Sequence, residues 1–70
     1  MKILYDKQSQ PFKAYSYTDL ARAVDRTQAT IWWHIENGNV PRPRIRNGKR
    51  WFYSHDEFEM IVGNYLENHA

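Results

Sequence analysis

The sequence predicts a small α+β domain, mainly helical, in the order helix, turn, helix, two-stranded hairpin, helix. Three observations carry this. Two short amphipathic segments meet at Asp25-Arg26, with a fresh capping residue at Thr27. Asn47-Gly48, the strongest short hairpin-turn pattern, sits between extended flanks. Ser54-His55-Asp56-Glu57 reads as a capping box ahead of a helical apolar stripe. Seventy residues make one domain. A chain this short is marginal unless it packs many aromatics, and 16% of these residues are Phe, Trp or Tyr.

Residues 1–14 read as an N-terminal arm or short strand. Ile3, Leu4 and Tyr5 can add a strand, and the polar run from Asp6 to Pro11 reads as loop. Such an arm can pair with the hairpin as a third strand or reach a neighbouring protomer. The main domain takes residues 15–70. A first helix is expected from about Tyr17 to Val24, with Ser16 or Thr18 as N-cap and Asp19 favouring the first turn. Tyr17, Leu20, Ala21 and Val24 recur at helical spacing. Thr27 caps a second helix from about Gln28 to Asn37, and Gly38 suits the left-handed position after it. A tight turn between two such helices is the helix-turn-helix arrangement. After the hairpin, Phe58, Ile61, Val62 and Tyr65 form the apolar stripe of a last helix.

Charge is unevenly spread. The net charge is only +2, yet residues 42–50 hold five cations (Arg42, Arg44, Arg46, Lys49, Arg50) and no acid. Residues 54–70 hold four acids (Asp56, Glu57, Glu59, Glu67) and no Lys or Arg. A dipolar molecule with one basic edge is the footprint of a small nucleic-acid binder. Five cations without a compensating acid exceed what protecting a strand edge needs.

Other chemistries lack their residues. There is no cysteine, hence no disulfide or thiolate site, which fits a reducing compartment. No catalytic triad, paired carboxylates or glycine-rich phosphate loop is visible, so the chain reads as a non-enzyme with no small-molecule substrate and no cofactor. His34, His55 and His69 share no ligand spacing, so no metal is expected, and His34 reads as a satisfied, partly buried histidine. No stretch approaches the ~20 apolar residues that span a bilayer, and Lys2-Ile3-Leu4-Tyr5 runs directly into polar residues, unlike a signal peptide.

Taken in order, Tyr15-Ser16, Asp19-Leu20-Ala21-Arg22, Thr27-Gln28-Ala29-Thr30-Ile31, Gly38-Asn39-Val40-Pro41 and Gly48-Lys49-Arg50-Trp51-Phe52-Tyr53-Ser54 resemble the winged helix-turn-helix domains of the MerR-like superfamily, nearest its excisionase-type subgroup. The match covers roughly residues 15–62. It implies a small phage or mobile-element protein that binds double-stranded DNA. Its second helix would enter the major groove and its basic wing would lie on phosphates or in the minor groove. The implied role is an excisionase-like architectural factor or a small transcriptional regulator, in the cytoplasm of a bacterial host and associated with the nucleoid. One small module makes few contacts, so self-association or cooperative binding is expected. The second helix departs from the family in carrying no Lys or Arg and in its tandem Trp32-Trp33.

With Ile31 and Ile35 set toward the core, at about 100° per residue, Ala29, Trp33 and Glu36 fall outside and Trp32 at the core or its edge. N-terminal residues of a recognition helix meet base edges. The candidate contacts there are Thr27, Gln28, Ala29, Thr30 and Trp33. Gln28 suits adenine, Ala29 or Thr30 a thymine methyl, and Thr27 a phosphate. Trp33 suits either a sugar-phosphate contact or packing against the wing or a partner. Glu36 would repel phosphate and is expected to point away or to accept from a cytosine amine. On the wing the candidates are Arg42, Arg44, Arg46, Asn47, Lys49 and Arg50, with Lys13, Arg22 and Arg26 as secondary phosphate contacts. A two-residue turn at Asn47-Gly48 would pair Arg46 with Lys49 and Arg44 with Trp51, laying arginine stems on aromatic rings. Arg42, Arg44 and Arg46 would share one strand face. The family pattern instead turns Trp51 and Tyr53 inward. The competing functions are a winged-helix protein-interaction adaptor and the DNA-binding domain of a phage terminase small subunit.

Overall fold

The short helices of this chain are defined by their ends. In the computed structural model, which describes residues 1–69, the first helix, α1, runs Tyr17–Ala23. Ser16 is its N-cap. Its hydroxyl accepts from the Asp19 N–H at 3.3 Å, and the Asp19 carboxylate accepts from the Ser16 N–H at 3.1 Å. Burial raises the Asp19 pKa, but the Met1 ammonium at 2.9 Å and the Ser16 hydrogen bonds outweigh it and hold the carboxyl below its ordinary value. The helix closes with the Arg26 N–H on the Ala21 carbonyl and the Asp25 N–H on the Arg22 carbonyl. That is a Schellman motif, with Asp25 rather than glycine in the left-handed position at φ 56°.

The second helix, α2, runs Gln28–Glu36 under Thr27, whose hydroxyl accepts from the Thr30 N–H at 3.2 Å. It ends in the same motif, here with Gly38 at φ 79°, the Gly38 N–H on the Ile35 carbonyl and the Asn39 N–H on the His34 carbonyl. Both helices stop one residue before the expected ends, because Val24 and Asn37 are C-caps.

The β structure exceeds the expected two-stranded hairpin. Strands β1 (Lys2–Tyr5), β2 (Pro11–Tyr15), β3 (Ile45–Asn47) and β4 (Arg50–Ser54) form one antiparallel sheet in the order β1-β2-β4-β3. Residues 1–14 take the short-strand form of the expectation, with Ile3-Leu4-Tyr5 in β1. They supply a hairpin whose second strand, unforeseen in the sequence, pairs Ala14 with Ser54 and Tyr15 with Tyr53. Pro11 begins β2, a place where its missing N–H costs no ladder bond.

The β3–β4 turn is shifted by one residue from expectation. Asn47 pairs with Arg50, Arg46 with Trp51 and Ile45 with Phe52, so Gly48-Lys49 is the turn. Gly48 has φ 66° while Lys49 keeps a negative φ. A glycine first and an ordinary residue second is the II′ arrangement, which relieves Asn47 of the positive φ that a type I′ turn would demand. Residues 41–44 lie outside the strand, so Arg42, Arg44 and Arg46 do not share a strand face.

The last helix, α3, runs His55–His69 directly from β4, with the Ser54 hydroxyl accepting from the Glu57 N–H at 3.3 Å. Ala70, the last residue of the expected domain, lies outside the described residues.

The sheet has an apolar cluster on each face. Tyr53 faces the helices and joins Leu20, Ala21, Val24, Ile31, Ile35, Val40, Ile61 and Tyr65. Phe52 faces the other way and packs with Leu4 and Ala14, flanked by Phe12 and Ile45. The expected stripe of α3 is in place: Ile61 and Tyr65 are buried, and Phe58 and Val62 pack against the same cluster. Phe58 also stacks on Tyr15, ring centroids 4.0 Å apart. His34 is buried between the Tyr65 hydroxyl and the Asn39 amide, each 3.4 Å from a ring nitrogen. Among the described residues, no helix is long and apolar enough to cross a membrane.

Candidate nucleic-acid interface

The start of α2 presents Gln28 and Ala29 to solvent. The Thr27 cap fixes this first turn and also occupies itself. Its hydroxyl lies 2.9 Å from the Thr30 hydroxyl and accepts from the Thr30 N–H, so the two threonines largely satisfy each other. Gln28 is the residue of this turn with an unshared polar head pointing outward.

The hairpin tip comes down beside that glutamine. One cleft is lined by Ser16, Tyr17, Thr18, Gln28, Lys49, Arg50 and Trp51. A second, sharing Thr18 and Gln28, is lined by Ala21, Arg22, Asp25, Arg26 and Thr27. A third, sharing Trp51, is lined by Trp32, Arg42 and Pro43. The three run together into one surface that collects Arg22, Arg26, Arg42, Lys49 and Arg50. Two acids lie beside these cations. Asp25 belongs to the interhelical turn, and Glu36 sits 3.7 Å from Arg42, an exposed pair that tempers the Arg42 charge.

The remaining sequence candidates are placed elsewhere or at the margin. Arg44 lines a groove with Glu57, Met60 and Asn64 of α3, away from Gln28. Arg46 and Asn47 line the groove between the edge strands β1 and β3. Arg46 nevertheless stays tied to the tip: its guanidinium lies 5.7 Å from the Trp51 ring centroid, and its Nε donates to the Gly48 carbonyl at 3.0 Å. The arginine-on-tryptophan contact is thus made by Arg46 and not by Arg44. Lys13 is exposed on β2 opposite Ile3, outside all three clefts. Trp33 is 57% exposed, its ring centroid 5.1 Å from that of His34, and it lines none of the three clefts.

Three aromatics belong to this surface that sequence reasoning did not assign to it. Trp51, expected either beneath the Arg44 stem or, on the family pattern, inward, is 48% exposed; by strand alternation it shares a face with Tyr53 and stands two residues nearer the hairpin tip. Trp32, expected at the core or its edge, is 45% exposed and rests on Tyr17, ring centroids 5.6 Å apart. Trp51 stands opposite Arg46 in a register that depends on contacts distant in sequence, so no local signal marks it for this edge.

Beneath the surface, Tyr53 anchors the chain that leads from α2 to β3. Its hydroxyl donates to the Pro41 carbonyl at 2.6 Å. Burial, reinforced by the negative charge of Glu57 and opposed by Arg42, pushes this phenol well above its ordinary value. Among the described residues, no group of three His, Cys, Asp or Glu side chains is disposed to hold a metal ion. Comparison with protein-family models, with curated proteins and with solved structures finds no match for this chain.

Proposed function

We propose that the chain is a winged helix-turn-helix protein that binds double-stranded DNA. In this reading α2 lies in the major groove and the β3–β4 hairpin is the wing, set on phosphates or in the minor groove. One observation carries it: the first exposed polar residue of α2, Gln28, shares a cleft with Lys49 and Arg50 of the hairpin tip. Base reading and phosphate contact need such a juxtaposition, since base contacts specify and phosphate contacts position. Arg22 and Arg26 extend the cationic surface past the start of α2. Occupancy and bending, as in an excisionase-like architectural factor or a small transcriptional regulator, suit a module with this surface and no visible catalytic set. The protein acts without a cofactor, and more than one copy on the site would supply the specificity that so few contacts leave short.

The test is fluorescence anisotropy on a mixed-sequence duplex across a range of salt. A steep linear fall of log affinity with log salt is expected, and Lys49→Ala should flatten the slope by about one unit. On a selected site, Gln28→Ala should cost roughly 1–3 kcal/mol, and far less on random DNA. Duplex binding that is absent or indifferent to salt would sink the proposal.

A further inference from the structure

The open slot between Trp32, Pro43 and Trp51, with Arg42 at its rim, serves no packing need of the fold. Both indoles are about half exposed, at 45% and 48%. Each is braced from one side: Trp32 by the Tyr17 ring at 5.6 Å, and Trp51 by the Arg46 guanidinium at 5.7 Å. Aromatic rings supported on one side and exposed on the other offer a π face to a flat ligand. Arg42 lines the slot, with Glu36 3.7 Å away, and Lys49 and Arg50 line the cleft that adjoins it at Trp51.

We infer that this slot receives one unstacked nucleobase, so that the protein binds single-stranded or locally opened DNA in addition to duplex. The inference rests on the DNA-binding reading above and extends it to a different form of the ligand. Stacking accepts any base because every base has a π face, and the surrounding cations take the flanking phosphates. Aromatic grooves also take extended proline-rich peptides. A neutral peptide gains nothing from Arg42 in the slot or from Lys49 and Arg50 in the adjoining cleft, whereas a polyanion gains from each. Charge therefore selects the nucleic acid strand.

The probe is a fluorescein-labelled oligothymidylate, titrated beside the mixed-sequence duplex. The wild-type chain should bind both. Trp51→Ala and Trp32→Ala should each weaken oligothymidylate binding about 10-fold, by loss of one stacked base, and lower the ratio of single-strand to duplex affinity. Trp51→Tyr, which keeps a π face, should restore most of that loss. Lys49→Ala should weaken both ligands together. Salt-dependent duplex binding with no oligothymidylate binding, or with oligothymidylate binding untouched by either alanine variant, overturns this inference alone. Failure of both ligands overturns it together with the DNA-binding reading. Binding of oligoproline in place of oligothymidylate, lost in Trp51→Ala, overturns it in favour of a peptide site.

Discussion

Tyr53 joins three parts of the molecule through one side chain. Its ring sits in the helix-facing cluster, its backbone pairs with Tyr15, and its hydroxyl holds Pro41. Tyr53→Phe keeps the ring and removes the hydroxyl, so it should cost about 0.5–1.5 kcal/mol in urea unfolding. The buried phenol is held above its ordinary value of 10.0. A group whose folded pKa is raised contributes stability that is complete below the unfolded value and lost as pH rises through the folded one. Wild-type stability should therefore fall above about pH 10 by a component that Tyr53→Phe lacks. Parallel alkaline curves for the two proteins would show that the hydroxyl is not shielded in the folded state. At this scale much was legible. Thr27 and Ser54 are caps because Ser and Thr can bond the free N–H groups of a first turn, and His34 is buried and partnered as its position on the second helix implied. Trp32 and Trp51 were not legible. Exposure of a large aromatic depends on where the packed layers end, and Trp51 lies toward the hairpin tip, beyond the buried Phe52 and Tyr53.

Helices α1 and α2 are short, so their ends matter in proportion. Gly38 has a left-handed φ of 79° and open space where a Cβ would stand, so a substitution there is opposed by backbone strain and not by collision. Gly38→Ala should destabilise by about 1–2 kcal/mol, read as a drop in thermal midpoint. A larger loss, with altered near-ultraviolet dichroism, would mean that the path from Asn39 to Arg44 had moved as well. Helix positions were readable because caps and 3.6-residue periodicity are local. Strand register was not. Asn47-Gly48 and Gly48-Lys49 differ by one residue, and the choice depends on Phe52 entering the cluster with Leu4 and Ala14, a contact distant in sequence. The same reason hid β2. Pro11-Phe12-Lys13-Ala14-Tyr15 carries little strand propensity of its own and is held by pairing on both sides.

At the scale of the whole molecule, two small clusters share the work of stabilising a chain with few residues to bury. The second cluster exists only because the β1–β2 hairpin folds across Phe52. Leu4 is 8% exposed, and Leu4→Ala should cost about 2–5 kcal/mol. Domains of this size have little stability to spare, so the variant should be largely unfolded near physiological temperature by circular dichroism. A midpoint close to wild type would mean that residues 1–14 are dispensable to the fold. For the candidate interface, the cationic run was legible as composition, and its partition was not. Lys49 and Arg50 face Gln28 while Arg44 turns toward α3. That split follows from residues 41–44 leaving the strand, and no local pattern announces it.

The junction at Ser54 has a mechanical consequence. Strand β4 ends at Ser54 and α3 begins at His55, so no loop separates them. Ser54 is at once the ladder partner of Ala14 and the hydroxyl acceptor for the Glu57 N–H. Hairpin and long helix thus share Ser54, and neither shifts against the other without breaking its pairing with Ala14 or its cap on α3.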